Sequence, residues 1–159
     1  MIFPVSWTFQ SVAIVGSGAI GLYYGSRLAG AGEGVRFLVR SDFEAISKGG
    51  LKVESIHGDF ELPEVKGFRT PEEIGPVDLV IVAWKATAND QLAKVLPPLL
   101  HAKTQVLTLQ NGLGNCESIA EITVPARVLG GLDAIEASGE AAIAIRTIRE
   151  RLKKSAPSR

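Results

Sequence analysis

The amino-acid sequence predicts an α/β fold with a doubly wound, mainly parallel sheet. Apolar stretches of strand length alternate along the chain with helical segments, which is typical of a parallel sheet with right-handed crossovers. Residues 77–84 form a nearly continuous apolar run, as expected of a parallel strand that is covered on both faces. The glycine-rich and polar stretches follow the predicted strands, at the ends where sheets of this kind bind their ligands.

Composition limits the classes of protein that fit. The chain has 159 residues, 46% of them hydrophobic and 21% charged, which is enough for one domain with a core. Lysine plus arginine and aspartate plus glutamate number 17 each, so the net charge is zero and neither nucleic acid nor an anionic membrane is indicated as a partner. The single cysteine, Cys116, excludes an internal disulfide, and no residue spacing indicates a metal site. We expect a soluble cytoplasmic protein.

The most informative stretch is Gly-Ser-Gly-Ala-Ile-Gly at residues 16–21. It follows the predicted strand 11–15 and opens the predicted helix 19–31, which is the context that the dinucleotide-binding fingerprint G-x-G-x-x-G requires. The first glycine permits the turn, the second lets a pyrophosphate approach the backbone, and the third lets the helix pack on the strand. A purely structural strand-to-helix turn is the alternative. The residues predicted to contact the cofactor here are Gly16, Ser17, Gly18, Ala19, Ile20 and Gly21.

The next elements continue the alternation and then interrupt it. The mostly apolar residues 35–39 predict a second strand, and residues 43–48 predict a short helix that ends at two glycines. Apolar and polar residues then alternate in 51–55 and 60–62 around a turn at 57–59, which predicts an antiparallel hairpin inserted into the parallel pattern. A proline at residue 71 starts a short helical turn.

The second half of the chain returns to strand and helix. After the strand at 77–84, a helix is predicted at 88–95. It ends there because two prolines, Pro97 and Pro98, follow. A strand follows at 104–109, then a helix at 117–122 and a last short strand at 127–129. Together with the strand, glycine loop and helix at the start of the chain, these elements predict a Rossmann-type sheet.

Several motifs together resemble the ketopantoate reductase (2-dehydropantoate 2-reductase) family over about residues 11–132. The most specific are the lysine after strand 77–84 and the run Gln-Asn-Gly-Leu-Gly-Asn at 110–115. The family reduces ketopantoate to pantoate with NADPH, on the route to pantothenate and coenzyme A. The matching residues are 16–21, Gly25, Leu28-Ala29, Val39-Arg40, Gly50-Leu51-Lys52-Val53, Trp84-Lys85-Ala86, 110–115 and Gly130-Gly131.

The chain departs from the family after this region. Family members are longer, and the resemblance implies a helical second domain that supplies the lysine treated as general acid. Neither Lys153 nor Lys154 matches that lysine by context, so no catalytic residue is assigned. We expect the helical C-terminal domain to be absent and the chain to have three parts: an extension at 1–10, a dinucleotide-binding Rossmann domain at 11–137, and a basic amphipathic helix and tail at 138–159.

Arg40 bears on the choice of nicotinamide cofactor. It ends the second predicted strand, 19 residues after Gly21 (40 − 21 = 19). NAD-binding folds usually place an acidic residue near this point, whereas an arginine offers a planar fork of donors to the 2′-phosphate of NADP. We therefore expect NADP (NADPH). Asp42 is close and would suit NAD, and a solvated arginine at a strand end is the structural alternative.

The resemblance implies roles for three further residues. Lys85 would lie near the nicotinamide and the cofactor phosphate, and Asn111 would contact the cofactor and the substrate. Ala137 would be the small residue that faces the nicotinamide. The alternatives are a surface lysine at the sheet edge and a turn asparagine before a glycine.

The function predicted from these residues is reduction of a small 2-oxo acid by NADPH, with this chain as the cofactor-binding part. The alternative is a non-catalytic NADP(H)-binding module or subunit. Either allows a homo-oligomer or a partner chain that supplies the missing domain. A methyltransferase is disfavoured, because its glycine loop differs and Arg40 has the wrong charge for adenosine hydroxyls.

Overall fold

Eight strands and five α-helices are present in residues 9–54 and 58–130, the part of the chain that the computed structural model describes. The strands are β1 Val12–Val15, β2 Val35–Leu38, β3 Leu51–Val53, β4 Phe60–Leu62, β5 Lys66–Phe68, β6 Leu79–Val82, β7 Gln105–Thr108 and β8 Val128–Gly130. The helices are α1 Ala19–Gly30, α2 Phe43–Gly49, α3 Pro71–Ile74, α4 Leu92–Val95 and α5 Asn115–Ala120. Turns of 3-10 helix cover Ala86–Gln91, Pro97–Leu99 and Pro125–Arg127.

The main sheet has six strands in the order β5-β2-β1-β6-β7-β8, and every neighbouring pair is parallel. β3 and β4 pair separately as an antiparallel hairpin. The chain builds outwards from β1 to one side and then from β6 to the other, so the strand order reverses between these two strands. The α/β class, the parallel doubly wound sheet and the hairpin insertion are thereby confirmed.

Two apolar layers cover the sheet, because alternate residues of each strand point to opposite faces. All four residues of β1, β6 and β7 are buried, as expected for strands covered on both sides. Helix α1 lies very close to the sheet at Gly25, where a Cβ would lie 2.5 Å from Cε1 of Phe37 and 2.8 Å from Cγ1 of Ile14. One layer includes Val12, Ile14, Leu28, Phe37 and Ile81, and the other includes Ala13, Val15, Val80, Leu92 and Leu96.

The hairpin is held against α1 by a buried arginine. Arg27 is only 3% exposed, and its guanidinium carbon lies 5.4 Å from the ring centre of Tyr23 and 4.8 Å from that of Phe60 in β4. A guanidinium stacked on aromatic faces is attracted by their ring quadrupoles. The hairpin therefore packs beside α1, and a groove of about 480 Å³ between them is lined by Ile20, Tyr24 and Lys52 among others.

The structure differs from the sequence prediction in two elements. Strand β5 was not predicted, because its three residues contain no apolar run; its pairing with β2 defines it. The helix predicted at 88–95 is wrong in its first half, where the chain forms the 3-10 turn Ala86–Gln91 before α4 begins at Leu92. Threonine, asparagine and aspartate in this stretch have side chains that compete for backbone hydrogen bonds and disfavour helix interiors.

Other boundaries agree within about two residues, and the helical turn at Pro71 has a full capping box. The Thr70 hydroxyl accepts from the Glu73 N–H, and the Glu73 carboxylate accepts from the Thr70 N–H. The predicted extension at 1–10 is described only from residue 9 onwards, and residue 57 of the predicted turn, Ala137 and the helix at 138–159 lie outside the described residues. No helix in the described ranges is long and apolar enough to cross a membrane.

Asp78 connects three segments at the edge of the sheet where the strands begin. Its Oδ2 accepts hydrogen bonds from the N–H groups of Gln10 and Ser11 at 3.0 Å each and from the Ser11 hydroxyl at 3.1 Å. Nε2 of His101 lies 3.3 Å from Oδ1, while Nδ1 accepts from the Lys103 N–H. Burial opposes ionisation of Asp78, but these hydrogen bonds outweigh it and hold the pKa of the carboxyl below its usual range.

We expect Asp78→Asn to lower the free energy of unfolding by about 1–2 kcal/mol at pH 7, because an amide nitrogen then faces groups that also donate. The carboxylate is 38% exposed, which keeps the effect modest. Because its folded pKa is lowered, Asp78 stabilises the fold above about pH 5, and this contribution is lost as the pH falls through that pKa. Urea unfolding at several pH values measures the difference.

Glu72→Gln, which removes an exposed carboxylate of α3, is the matched control and should change little. A difference between Asp78→Asn and the wild type that stayed constant from neutral to acid pH would contradict this account of Asp78.

Candidate functional site

The loops that follow β1, β2, β6 and β7 lie along one edge of the sheet, since parallel strands all end there. Val15 pairs with Val82, so the loops after β1 and β6 leave the sheet side by side at the point where the strand order reverses. In open α/β sheets the crevice at this point is where ligands bind. The candidate site is therefore this edge, and most of the residues singled out from the sequence lie on it.

The three glycines of the loop at 16–21 differ in backbone conformation and in the space that a Cβ would have. Gly16 has φ +106°, and a Cβ on it would lie 2.5 Å from the backbone nitrogen of Trp84 in the loop after β6. A Cβ on Gly21 would lie 1.9 Å from the carbonyl oxygen of Gly16. Gly18 has an ordinary φ of −77°, and a Cβ on it would meet no atom within 4 Å. The fold itself requires glycine at the first and third positions, whereas at Gly18 it leaves open space.

Helix α1 begins directly at this open space. Gly18 is its N-cap, no side chain caps the helix, and its first turn contains no acidic residue. Ala19 and Ile20 in that turn are exposed, and Ser17 before it is half-buried. The backbone N–H groups of a helix start without a side-chain cap point out of the helix with partial positive charge, which suits an anionic group.

Arg40 lies just beyond β2 and reaches towards the loop after β6. Its Nη2 donates to Oε1 of Gln91, the last residue of the 3-10 turn. The arginine side chain is exposed, and one hydrogen bond leaves other donors of its guanidinium fork available. Asp42 is also exposed and forms the N-cap of α2 without a side-chain cap bond.

Lys85 and Asn111 lie in the loops after the adjacent strands β6 and β7, and both are exposed. Lys85 has an extended backbone and precedes the 3-10 turn, and its carbonyl accepts from the Ala88 N–H at 2.9 Å. In the described ranges no carboxylate forms an ion pair with Lys85. Asn111 precedes Gly112, which has φ +101°. The structure brings the two residues to the same edge, while Ala137 lies outside the described residues.

A network of side-chain amides joins these two loops. Oδ1 of Asn89 accepts from Nε1 of Trp84 at 3.2 Å and from Nε2 of Gln110 at 2.7 Å. Nδ2 of Asn89 donates to Oδ1 of Asn115 at 2.9 Å, and Asn115 is only 4% exposed. Asn89 was not predicted, because two of its three partners lie in the distant segment after β7 and no local pattern marks it.

Comparison with known proteins gives consistent matches. The family model described as ketopantoate reductase PanE/ApbA matches residues 12–151. A 2-dehydropantoate 2-reductase of Nostoc is 48% identical over 77% of this chain and 39% of its own length. The crystal structure of the enzyme of that name from Geobacter metallireducens has 56% identity and a TM-score of 0.74, over 76% of this chain and 40% of the other.

A more distant match is a D-mandelate dehydrogenase solved in complex with NADH, with 26% identity and a TM-score of 0.57 over 74% of this chain and 36% of its own. The chain thus spans about 40% of the length of the 2-dehydropantoate 2-reductases that it matches. The match to the family model covers most of the sequence, and the motifs that first indicated the resemblance lie within it. The chain belongs to the ketopantoate reductase PanE/ApbA family, a family of oxidoreductases.

Proposed function

We propose that this chain binds NADPH at the carboxyl edge of its sheet and is the cofactor-binding part of a 2-dehydropantoate 2-reductase. The open space at Gly18 carries the proposal. The fold requires glycine at Gly16 and Gly21 but has no use of its own for glycine at position 18, which adjoins a helix start without a side-chain cap. A pyrophosphate that approaches the backbone there accounts for the glycine at position 18.

The proposed roles follow from the chemistry of the side chains. The loop at 16–21 and the start of α1 hold the pyrophosphate, and Arg40 binds the 2′-phosphate through the fork of its guanidinium. Lys85 contributes a positive charge beside the nicotinamide and the carboxylate of a small 2-oxo acid. Asn111 offers both a donor and an acceptor to the cofactor and the substrate without titrating. Ala137 remains a proposed neighbour of the nicotinamide.

Bound NADPH supplies a hydride to the keto carbon of such a substrate. The residues of this chain bind and orient the two reactants. We propose that residues 11–137 form this dinucleotide-binding unit and that the protein is cytoplasmic.

The second candidate is a non-catalytic NADP(H)-binding module or subunit whose partner chain completes the site. It is consistent with the proposed roles of the glycine loop, Arg40, Lys85 and Asn111, all of which are to bind or orient and none of which is to donate a proton. Oxidation of NADPH on addition of 2-dehydropantoate, measured with the 159-residue chain alone, separates the two candidates. Turnover that Lys85→Ala abolishes supports the enzyme, and tight NADPH binding without turnover supports the module.

We expect Arg40→Ala to weaken NADPH binding by about 10- to 100-fold and NADH binding by less than about 3-fold, because only NADPH carries the 2′-phosphate. Calorimetric titration of each protein with each nucleotide measures both affinities. NADH is a necessary comparison, because the D-mandelate dehydrogenase relative was solved with that cofactor.

Lys103→Ala removes one positive charge from the opposite edge of the sheet and should leave both affinities unchanged. An unaltered preference for NADPH in Arg40→Ala would refute the role of Arg40. A folded wild-type chain that binds neither nucleotide would refute the proposed cofactor site.

A further inference from the structure

We propose that Asn89 is a positioning residue that orders the loop carrying Asn111 for cofactor and substrate. The inference deepens the proposed function and rests on it. Asn89 lies in the 3-10 turn after β6, whereas the loop at 109–115 follows β7. Its hydrogen bonds connect the two loops through a second amide, Asn115, to the backbone carbonyls of the predicted contact residue, Asn111, and of the residue after it.

The connection ends on main-chain carbonyls. Nδ2 of Asn115 donates to the carbonyl oxygen of Asn111 at 3.1 Å and to that of Gly112 at 3.0 Å. Oδ1 of Asn115 accepts from Nδ2 of Asn89. One buried amide thus takes a donor from the loop after β6 and gives two hydrogen bonds to the loop after β7. We call Asn89, Asn115 and these bonds the amide relay.

The partners at the two ends dictate the orientation of both amides. The indole N–H of Trp84 can only donate, so Asn89 must present its oxygen to it. Backbone carbonyls can only accept, so Asn115 must present its nitrogen to them. Between these ends only one arrangement remains, in which the nitrogen of Asn89 faces the oxygen of Asn115. The relay therefore has a direction, and an isosteric change of one amide nitrogen to oxygen removes the donor and breaks it at that point.

Thr108 anchors Gln110 and Ser118 anchors Gly114, so the relay acts on the residues between them, 111–113. Gly112 and Gly114 both have positive φ values, +101° and +85°, and Leu113 between them is fully exposed. Glycine backbones have more conformations to lose on ordering than any other residue, so such a loop depends on its anchors. The side chain of Asn111 is exposed, whereas its carbonyl is held by the relay. The position of the Asn111 amide in the site thus depends on Asn89.

The decisive variant is Asn89→Asp in the full 159-residue chain. A carboxylate keeps the two acceptor contacts to Trp84 and Gln110 but has no hydrogen to donate to Asn115. We expect backbone amides in 110–115 to exchange with solvent about tenfold faster in the nucleotide-free variant, with β1 and β6 unchanged. We also expect the dissociation constant for NADPH to rise by about tenfold or more, the size of a lost anchoring interaction.

The matched control is Asp90→Asn, which changes the charge of an exposed neighbour in the same turn and should alter neither quantity. Where the Asn89→Asp chain loses its cooperative thermal transition, Asn89→Ser, which introduces no charge and is too short to reach Asn115, replaces it. Hydrogen exchange is measured without nucleotide, so it tests the relay even if the wild type binds no NADPH. A wild-type chain that binds no NADPH would refute the proposed function but not the ordering of the loop by Asn89.

Two outcomes would overturn the inference. Exchange in 110–115 that matches the wild type would mean that Asn89 does not order the loop. Faster exchange with unchanged NADPH affinity would mean that the ordered loop does not position the ligand. Faster exchange together with weaker NADPH binding, both absent from Asp90→Asn, would establish Asn89 as a positioning residue.

Discussion

Gly18→Asp should abolish NADPH binding without destabilising the protein. The backbone of Gly18 has φ −77° and ψ −177°, which any residue adopts, and a Cβ there meets no atom within 4 Å. Aspartate is a preferred N-cap, and its charge is favourable at a helix start, so the free energy of unfolding should stay level or rise by about 0.5–1 kcal/mol. The same carboxylate fills the open space and repels a pyrophosphate. We expect the dissociation constant for NADPH to rise by at least about 100-fold.

Urea unfolding and calorimetric titration together measure this separation of stability from binding. Gly30→Asp is the control, because Gly30 ends the same helix and also has open space around it. There the added negative charge is at the unfavourable end of the helix, so a slight loss of stability and an unchanged NADPH affinity are expected. Wild-type affinity in Gly18→Asp would exclude the pyrophosphate from this position.

Gly21→Ala, in contrast to Gly18→Asp, should strongly lower the free energy of unfolding. A Cβ at Gly21 would lie 1.9 Å from the carbonyl oxygen of Gly16 and 3.2 Å from Cγ2 of Ile14. The added Cβ would overlap a main-chain atom, which no side-chain rotation can move away. The overlap can be removed only if α1 moves away from β1. We expect a loss of about 3–5 kcal/mol, which corresponds to a fall in melting temperature of roughly 10 °C or more.

The sign of this effect is informative, because glycine to alanine inside a helix normally stabilises it by about 1 kcal/mol. Gly30→Ala tests that baseline in the same helix, where the added methyl group meets nothing within 4 Å. It should be neutral or stabilising in the same thermal melt. A Gly21→Ala chain as stable as Gly30→Ala would contradict the close contact between α1 and the glycine loop.

Much of the fold could be predicted from the sequence, because its signals are local. The buried run at 77–84 and the alternation of 51–53 with 60–62 each carry the periodicity of the strand they form. The glycine loop is recognisable because a strand precedes it and a helix follows it. Together with Lys85 and the amide-rich run at 110–115, it indicates the family that the comparison confirms. Arg40, Lys85 and Asn111 remain predicted site residues.

The elements that were missed are those whose stability comes from distant partners. β5 is a strand only because β2 lies beside it, and the 3-10 turn Ala86–Gln91 includes the first half of the helix that the sequence predicted at 88–95. Arg27 was assigned no role from the sequence, yet it is buried against two aromatic rings, one of which belongs to the hairpin.

The sequence by itself determined the class of sheet, the order of its elements, the glycine fingerprint and the family. These depend on periodicity and spacing, which neighbouring residues along the chain express directly. Only the tertiary structure decided which glycines have atoms packed against them and which has open space, and how the loops after β6 and β7 are joined. Both depend on what lies across space: the Trp84 backbone against Gly16, and Asn89 against Asn115. A hydrogen bond between segments has no signature in either segment alone.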